Sequence, residues 1–168
     1  MTGEEVQLRA RYLFVLCTRA VERCCQLLLA SPALSASAAN GSQLQKPLRR
    51  ELGILFRYWA TRQIWQRWES KEAEATQLNL ALLRFFTDEF KLPKDGSGLR
   101  YAELSTVEDE VRELSRRIAV ALNVDAGPLL AELHHTIAPS REAVVQSTID
   151  ALELPAIQLS SEMERQTI

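Results

Sequence analysis

The sequence predicts an all-α fold, a single-domain bundle of about six helices. Large apolar residues recur at alternating spacings of three and four, as in helices with one buried side. No run of alternating β-branched residues bounded by turns marks a strand. A chain of 168 residues with 46% apolar side chains is the size of one domain and can bury a core without disulfides. We expect this domain to span residues 1–154.

The first helix is expected at about residues 4–30. Charged side chains such as Arg19 and Glu22 fall on one side of this segment. The apolar stripe on the other side, with steps of four, three, four and three, consists of Leu13, Cys17, Ala20, Cys24 and Leu27.

All three cysteines, Cys17, Cys24 and Cys25, lie within this first helix. No pair of them has a suitable geometry for a disulfide there, so we interpret them as reduced, buried thiols. The N-terminal segment is acidic, unlike a secretory signal, and no stretch approaches the ~20 uncharged apolar residues of a membrane span. We therefore expect a cytoplasmic protein with no membrane partner.

The second and third helices are predicted at 46–69 and 71–91. Before them, residues 31–44 mix Pro, Ser and Ala with an Asn-Gly pair, which is typical of a mobile loop. Pro47 suits the first turn of the second helix. A single rod of about 45 residues would measure about 68 Å, longer than a domain of this size. We expect a break at Ser70, a capping residue type, with the uninterrupted rod as the alternative.

The fourth helix is predicted at 106–122. Ser105 and Glu108 before it have the spacing of a capping box, in which each side chain accepts a hydrogen bond from a backbone N–H. Apolar residues then repeat with three-four spacing. On the opposite side of this helix, Glu-Arg pairs four residues apart are expected to stabilise it.

Two further helices are predicted after Asp125, at 126–137 and 141–153. Asp125 is a capping type for the first of them and Ser140 for the second. With the fourth helix they form an expected tri-helical unit over residues 106–153. The remainder, residues 155–168, has few apolar anchors and is expected to be a loosely ordered tail.

Residues 118–154 resemble the helix-turn-helix headpiece of LacI-type bacterial repressors. The resemblance implies that this segment forms three packed helices and that the second helix binds DNA. The corresponding segment here, AGPLLAELHH, offers Glu132 and no Lys or Arg to base edges or phosphates, so we expect only a packing unit. The matched positions are Ala119, Leu122, Asn123, Val124, Leu129 and Leu133.

The stretch FRYWATRQIWQRWES, residues 56–70, is the main candidate functional site. If it is helical, residues such as Leu52 form one apolar side of the second helix, and Ile54 and the aromatic residues form another. Such a helix is covered either by two neighbours in its own bundle or by one neighbour and a second molecule. Trp, Tyr and Arg are enriched at interface hot spots. We predict a partner-binding surface made of Arg57, Tyr58, Arg62, Trp65 and Trp68.

This surface predicts a non-enzymatic protein-protein interaction protein, a regulatory or adaptor protein that binds a partner or its own copy as a homo-oligomer. Nucleic acid is a less favoured alternative, although residues 45–68 contain six basic and one acidic side chains, a net +5. Residues 100–168 contain six basic and twelve acidic ones, a net -6, and the whole chain has a net charge of -2. Pairing of the basic segment within the molecule, or a solvated helix face, explains the arginines without a polyanion.

A helical small-ligand sensor is the second alternative. Trp59, Phe85 and Phe86 would line an apolar pocket between the second and third helices, because bundles bind ligands between facing helices.

The sequence contains no pattern that predicts catalysis, a cofactor or a metal. P-loop, GxGxxG, GxSxG and HExxH motifs are absent. Glu132 and His135 have the Glu-x-x-His spacing of di-metal bundles. Such a site needs a second pair of this kind on another helix, and the only other histidine of the chain, His134, is adjacent to His135. The acidic residues of the fourth helix are expected mainly on its solvent side, namely Glu108, Asp109, Glu110 and Glu113.

Overall fold

The computed structural model describes residues 1–35, 41–93 and 99–166, and these ranges contain helices and no strand. The all-α prediction is therefore confirmed, with eight helices in the described ranges instead of about six. The helices are α1 (Gly3–Leu29), α2 (Pro32–Ser35), α3 (Gly41–Arg67), α4 (Glu72–Phe90), α5 (Leu99–Ala102), α6 (Val107–Leu122), α7 (Ala126–Glu153) and α8 (Ala156–Gln166).

Helix α3 is the centre of the bundle, because it packs against α1, α4, α6 and α7. Its apolar stripe is fully enclosed, with Leu48, Leu52, Leu55 and Phe56 all 0% exposed. Helices α1 and α7 also pack directly on each other, as do α1 and α4. The second helix of the sequence prediction is therefore surrounded mainly by its own bundle.

The predicted break after the second helix is present, and the uninterrupted rod is wrong. Helix α3 ends at Arg67 and α4 begins at Glu72. Ser70 lies in the turn and is not the cap, since the N-cap position of α4 is Lys71, whose side chain makes no capping hydrogen bond. The chain turns through backbone bonds, among them one from the Lys71 N–H to the Trp68 carbonyl at 2.9 Å.

The beginning of α3 differs from the prediction. The helix starts at Gly41, within the expected loop 31–44, so Pro47 lies inside it and not in its first turn. Helix α2 also forms in that expected loop. The central part of the predicted loop, 36–40, lies outside the described residues.

Two side chains cap α6 and α7. Thr106, one residue after the predicted cap Ser105, accepts a hydrogen bond from the Asp109 N–H at 3.1 Å. Asp125 caps α7 as predicted, with its Oδ1 accepting from the Gly127 N–H at 3.1 Å. Asn123 ends α6 in the left-handed conformation, at φ 54°.

The predicted helices at 126–137 and 141–153 are one continuous helix, α7, which passes through Pro139. The tri-helical unit and the three-helix arrangement implied by the repressor resemblance are therefore wrong. Proline removes one backbone hydrogen bond from a helix interior. Here α7 packs against α1, α3 and α6, and burial of residues such as Leu133 and Val144 on both sides of Pro139 outweighs that loss.

The expected loose tail is also wrong over most of its length, because Ala156–Gln166 forms α8. Leu159 is fully buried and α8 packs on α1. The Arg19 guanidinium donates to the Gln166 carbonyl at 2.9 Å, near the end of α8. The buried Leu159, the partly buried Met163 and the Arg19 contact therefore hold a segment whose sequence is mostly polar.

Gly53 allows the closest approach of α3 and α4. A Cβ at this position would lie 2.9 Å from Cγ of Phe90. We predict that Gly53→Ala destabilises the fold by about 1–3 kcal/mol, since overpacking outweighs the higher helix propensity of alanine. Urea unfolding measures the effect.

The matched control is Gly127→Ala in the first turn of α7, where the nearest atom to an added Cβ is 3.6 Å away. This change is expected to be neutral or stabilising by up to about 1 kcal/mol. Equal effects of the two substitutions would contradict the packing explanation.

Candidate functional site

The C-terminal part of α3 carries an aromatic surface of three residues, Tyr58, Arg62 and Trp65, which we call the Trp65 surface. Spacings of four and three place these residues on one side of the helix. Trp65 is 41% exposed, whereas Trp59 and Trp68 are buried. Tyr58 and Arg62 are half-buried beside it.

Contacts within the molecule hold the Trp65 surface in place. The Tyr58 ring lies 6.0 Å from the ring of Tyr101, a fully buried residue of α5. The Arg62 guanidinium lies 5.9 Å from the centre of the Tyr58 ring, within the range of a cation–π interaction. The side chains next to Trp65 are therefore already ordered in the free protein.

Trp68 does not belong to this surface, which corrects the prediction for that residue. It is only 6% exposed, and the Lys71 ammonium lies 5.5 Å from the centre of its ring. The physical reason is that α3 ends at Arg67, so a helical projection no longer describes the direction of residue 68.

Arg57 is a half-buried residue whose Nε is buried without a hydrogen-bond partner. Burial lowers the pKa of its guanidinium. Because Arg57 is one residue before Tyr58, its side chain leaves α3 about 100° away from that of Tyr58. Arg57 is thus positioned beside the Trp65 surface and is not continuous with it.

Two other basic residues of α3, Arg49 and Arg67, form ion pairs within the molecule. Arg49 bridges Glu22 of α1 at 2.6 Å and Glu89 of α4 at 3.1 Å. Arg67 lies 3.5 Å from Glu153 of α7. The Arg67–Glu153 pair joins the basic segment to the acidic residues 100–168, whereas Arg49 pairs with carboxylates outside that range.

Glu110 of α6 is a buried carboxylate that contacts Trp59 of α3. It is 1% exposed, and its Oε2 accepts a hydrogen bond from Trp59 Nε1 at 3.2 Å. Its Oε1 lies 3.8 Å from Nε of Arg141 and has no hydrogen-bond partner. Burial raises the pKa of Glu110, opposed by the Trp59 bond and the charges of Arg141 and Arg62.

The expected solvent position of Glu110 is therefore wrong, as is that of Glu113, which is 8% exposed. The sequence contained a signal for Glu110. It lies three residues after Val107 and four before Leu114, so helical spacing puts it on the apolar stripe.

The residues of the alternative ligand pocket contact different parts of the bundle. Trp59 stacks on Phe56 with ring centres 5.0 Å apart and bonds to α6. Phe85 and Phe86 pack on Phe14 of α1, with ring centres 5.3 Å and 5.5 Å from it. Phe85 lines a surface groove of about 500 Å³ next to the start of α1, a groove that neither Trp59 nor Phe86 lines.

The three cysteines are free and buried. Burial raises the pKa of Cys17 and Cys25 to about 12 and that of Cys24 to about 11. All three thiols are therefore protonated at neutral pH, as the interpretation of reduced, buried thiols requires.

Within the described ranges, no group of three or more His, Cys, Asp or Glu side chains is placed to hold a metal ion. No helix in the same part of the chain combines the length and apolarity needed to cross a membrane. The chain matches no protein-family model, and the searches of curated proteins and of solved structures found no match.

The contrast between the two tryptophans near the end of α3 is testable by substitution. We predict that Trp68→Ala lowers the free energy of unfolding by about 3–5 kcal/mol, because it empties a buried site. Trp65→Ala removes less buried area and should be at least about 1 kcal/mol less destabilising. Chemical denaturation of both variants gives the comparison, and a larger loss for Trp65→Ala would contradict the assigned positions.

The buried carboxylate predicts a pH dependence. Because the fold raises the pKa of Glu110, the folded chain binds this proton more tightly than the unfolded chain does. Stability from this group is therefore present at low pH and lost as pH rises from the unfolded pKa, about 4.3, through the folded pKa. Glu110→Gln removes the titration while keeping an oxygen acceptor for Trp59.

We expect the stability of Glu110→Gln relative to the unchanged protein to be more favourable at pH 7 than at pH 4. Thermal unfolding at both pH values measures it. Arg112→Gln is the control, since Arg112 is an exposed residue of the same helix. A stability difference for Glu110→Gln that is independent of pH would show that the carboxylate is not penalised by burial.

Proposed function

We propose that this protein is a non-enzymatic binding protein that contacts a protein partner through the Trp65 surface. The observation that carries the proposal is the exposure of Trp65, 41%, next to two side chains already held by the fold. Trp, Tyr and Arg are the residue types that dominate interface hot spots. Side chains ordered before binding lose less conformational entropy when a partner docks.

The size of the effect sets a requirement on the partner. Burying the exposed part of Trp65, on the order of 80 Å², would contribute about 2 kcal/mol. A stable complex buries about 800 Å² on each partner. The partner must therefore extend over neighbouring residues, with Trp65 as its anchor and Arg62 as a donor for an acceptor group at the edge.

Pairing of the basic residues favours a protein partner over nucleic acid. Arg49 and Arg67 are engaged with carboxylates of α1, α4 and α7. A phosphate backbone is recognised by a continuous row of available cations, and pairing reduces that row on α3. An aromatic surface with one flanking arginine suits a protein contact better.

The experiment places a photo-cross-linking amino acid at Glu69, an exposed position four residues after Trp65. We expect a discrete cross-linked product in a native extract, lost in Trp65→Ala and in Arg62→Ala. Leu80→Ala, which truncates an apolar side chain that is 54% exposed on α4, should retain the product. Circular dichroism confirms that each variant is folded.

Sedimentation equilibrium of the purified chain separates the two kinds of partner. A concentration-dependent dimer that Trp65→Ala abolishes identifies a second copy as the partner, and a monomer directs the search to another protein. A cross-linked product that persists unchanged in Trp65→Ala would contradict the proposal.

A further inference from the structure

A groove of about 280 Å³ lies between α1 and α7. None of the residues that line it belongs to the Trp65 surface. It exists because the side chains that meet there are small, with Ala20 on α1 opposite Ser140 and Ala143 on α7. Next to them, Cys24 Sγ lies 2.9 Å from Ser140 Oγ, which fixes the two helices close together at this level.

The lining of the groove has positive charge. Arg19 and Arg23, both exposed and one turn apart on α1, line one wall, and His135 of α7 lines the other. Arg19 is partly engaged, because it donates to the Gln166 carbonyl at 2.9 Å. Arg23 has no hydrogen bond or ion pair to any described residue, and no carboxylate is among the residues that line the groove.

The rest of the lining is apolar. It includes Leu16 and Leu27 of α1 and Pro139 of α7, and the Leu27 side chain is 53% exposed. Pro139 has no N–H, so the His135 carbonyl lacks its normal partner one turn later in the helix. A cationic rim above an exposed apolar floor is complementary to an anion with an apolar tail.

We propose that this groove binds a small amphipathic carboxylate, with the carboxylate near Arg23 and His135 and the apolar chain along Leu27 and Pro139. The groove volume of about 280 Å³ lies just below the range of roughly 300–1,000 Å³ that is typical of small-ligand pockets, so the ligand is small. A medium-chain fatty acid has this size and this distribution of charge. Guanidinium groups are the preferred partners of carboxylates, with which they form paired hydrogen bonds.

Binding is non-covalent in this proposal. Cys24 is a thiol next to the groove residue Ser140, and burial raises the pKa of this thiol to about 11. Its sulfur also faces Ser140 and not the open side of the groove. The thiol therefore contributes to the wall and does not react with the ligand.

The test is a titration of the full chain with octanoate, followed by amide chemical shifts in ¹H–¹⁵N spectra. We expect a dissociation constant on the order of 1 mM, as befits a ligand of about ten atoms in an open groove. The shifted amides should cluster around Ala20, Leu27 and Ala143. The neutral analogue 1-octanol should bind at least about fivefold more weakly, because it lacks the charge that Arg23 recognises.

Two variants separate charge from shape. Arg23→Gln should weaken octanoate binding at least about fivefold, and Ala143→Leu should abolish it by filling the groove from an exposed helix position. The control Arg112→Gln changes an exposed arginine on α6 and should leave binding unchanged. Spectra without ligand verify that each variant is folded.

Three results would overturn the proposal. Equal affinity for octanoate and 1-octanol would show that charge does not contribute to binding. Unchanged octanoate binding in Arg23→Gln would show that Arg23 does not bind the carboxylate. Shifts that are absent or cluster elsewhere would remove the groove as the site. None of these results bears on the Trp65 surface, so the two proposals fail independently.

Discussion

The rest of the structure depends on the enclosure of α3. This helix has 27 residues and apolar side chains on more than one side, so no single neighbour can cover it. Four long helices do so together. At Gly53 the Phe90 side chain of α4 lies close to the backbone of α3, and the Arg49 guanidinium lies 4.9 Å from the centre of the same Phe90 ring. The Phe90 ring therefore takes part both in close packing against α3 and in a cation–π interaction with Arg49.

On the opposite side of α3, polar contacts define its position against α6. Glu51 and Arg117 form an ion pair at 2.7 Å, with side chains only 11% and 14% exposed. Eight residues further along α3, Trp59 bonds to Glu110. Loss of one member of such a buried pair leaves its partner charged or polar without compensation, so a displaced α6 would be unfavourable at both positions.

The helices with strong apolar periodicity were predictable from the sequence. The residues at which helices end, and the helices that pack against one another, were less predictable. The three-four repeats of α1 and α6 and the break between α3 and α4 follow from local patterns. The continuity of α7 through Pro139 does not, because it comes from burial against helices that include α1, α3 and α6. Helix α8 depends on one buried residue, Leu159, whose partner α1 lies more than a hundred residues earlier.

The candidate site was predictable to a similar degree. The composition of FRYWATRQIWQRWES pointed to Trp65 and Tyr58, while the burial of Trp68 depends on where α3 ends. Glu110 was recognisable in principle by its spacing, although acidic residues on a helix are usually on its solvent side. The exposure of an apolar side chain of α3 depends on the helices that pack against it, and a sequence pattern does not specify which helices pair or in what register.

Helix lengths explain why the exposed residue is Trp65. The pairs Glu51–Arg117 and Trp59–Glu110 show that α3 and α6 run antiparallel, with eight residues of α3 matched by seven of α6. Continuing that register by six residues brings Trp65 level with about residue 105, before α6 begins at Val107.

At about 1.5 Å per residue, the 16 residues of α6 span about 24 Å and the 27 of α3 about 40 Å. Helix α7 contacts the end of α3 through the Arg67–Glu153 ion pair. Arg67 is two residues after Trp65, so this contact lies on a different side of α3. Trp65 is therefore exposed where α3 extends beyond α6, and a partner that binds there would continue the cover that α6 provides.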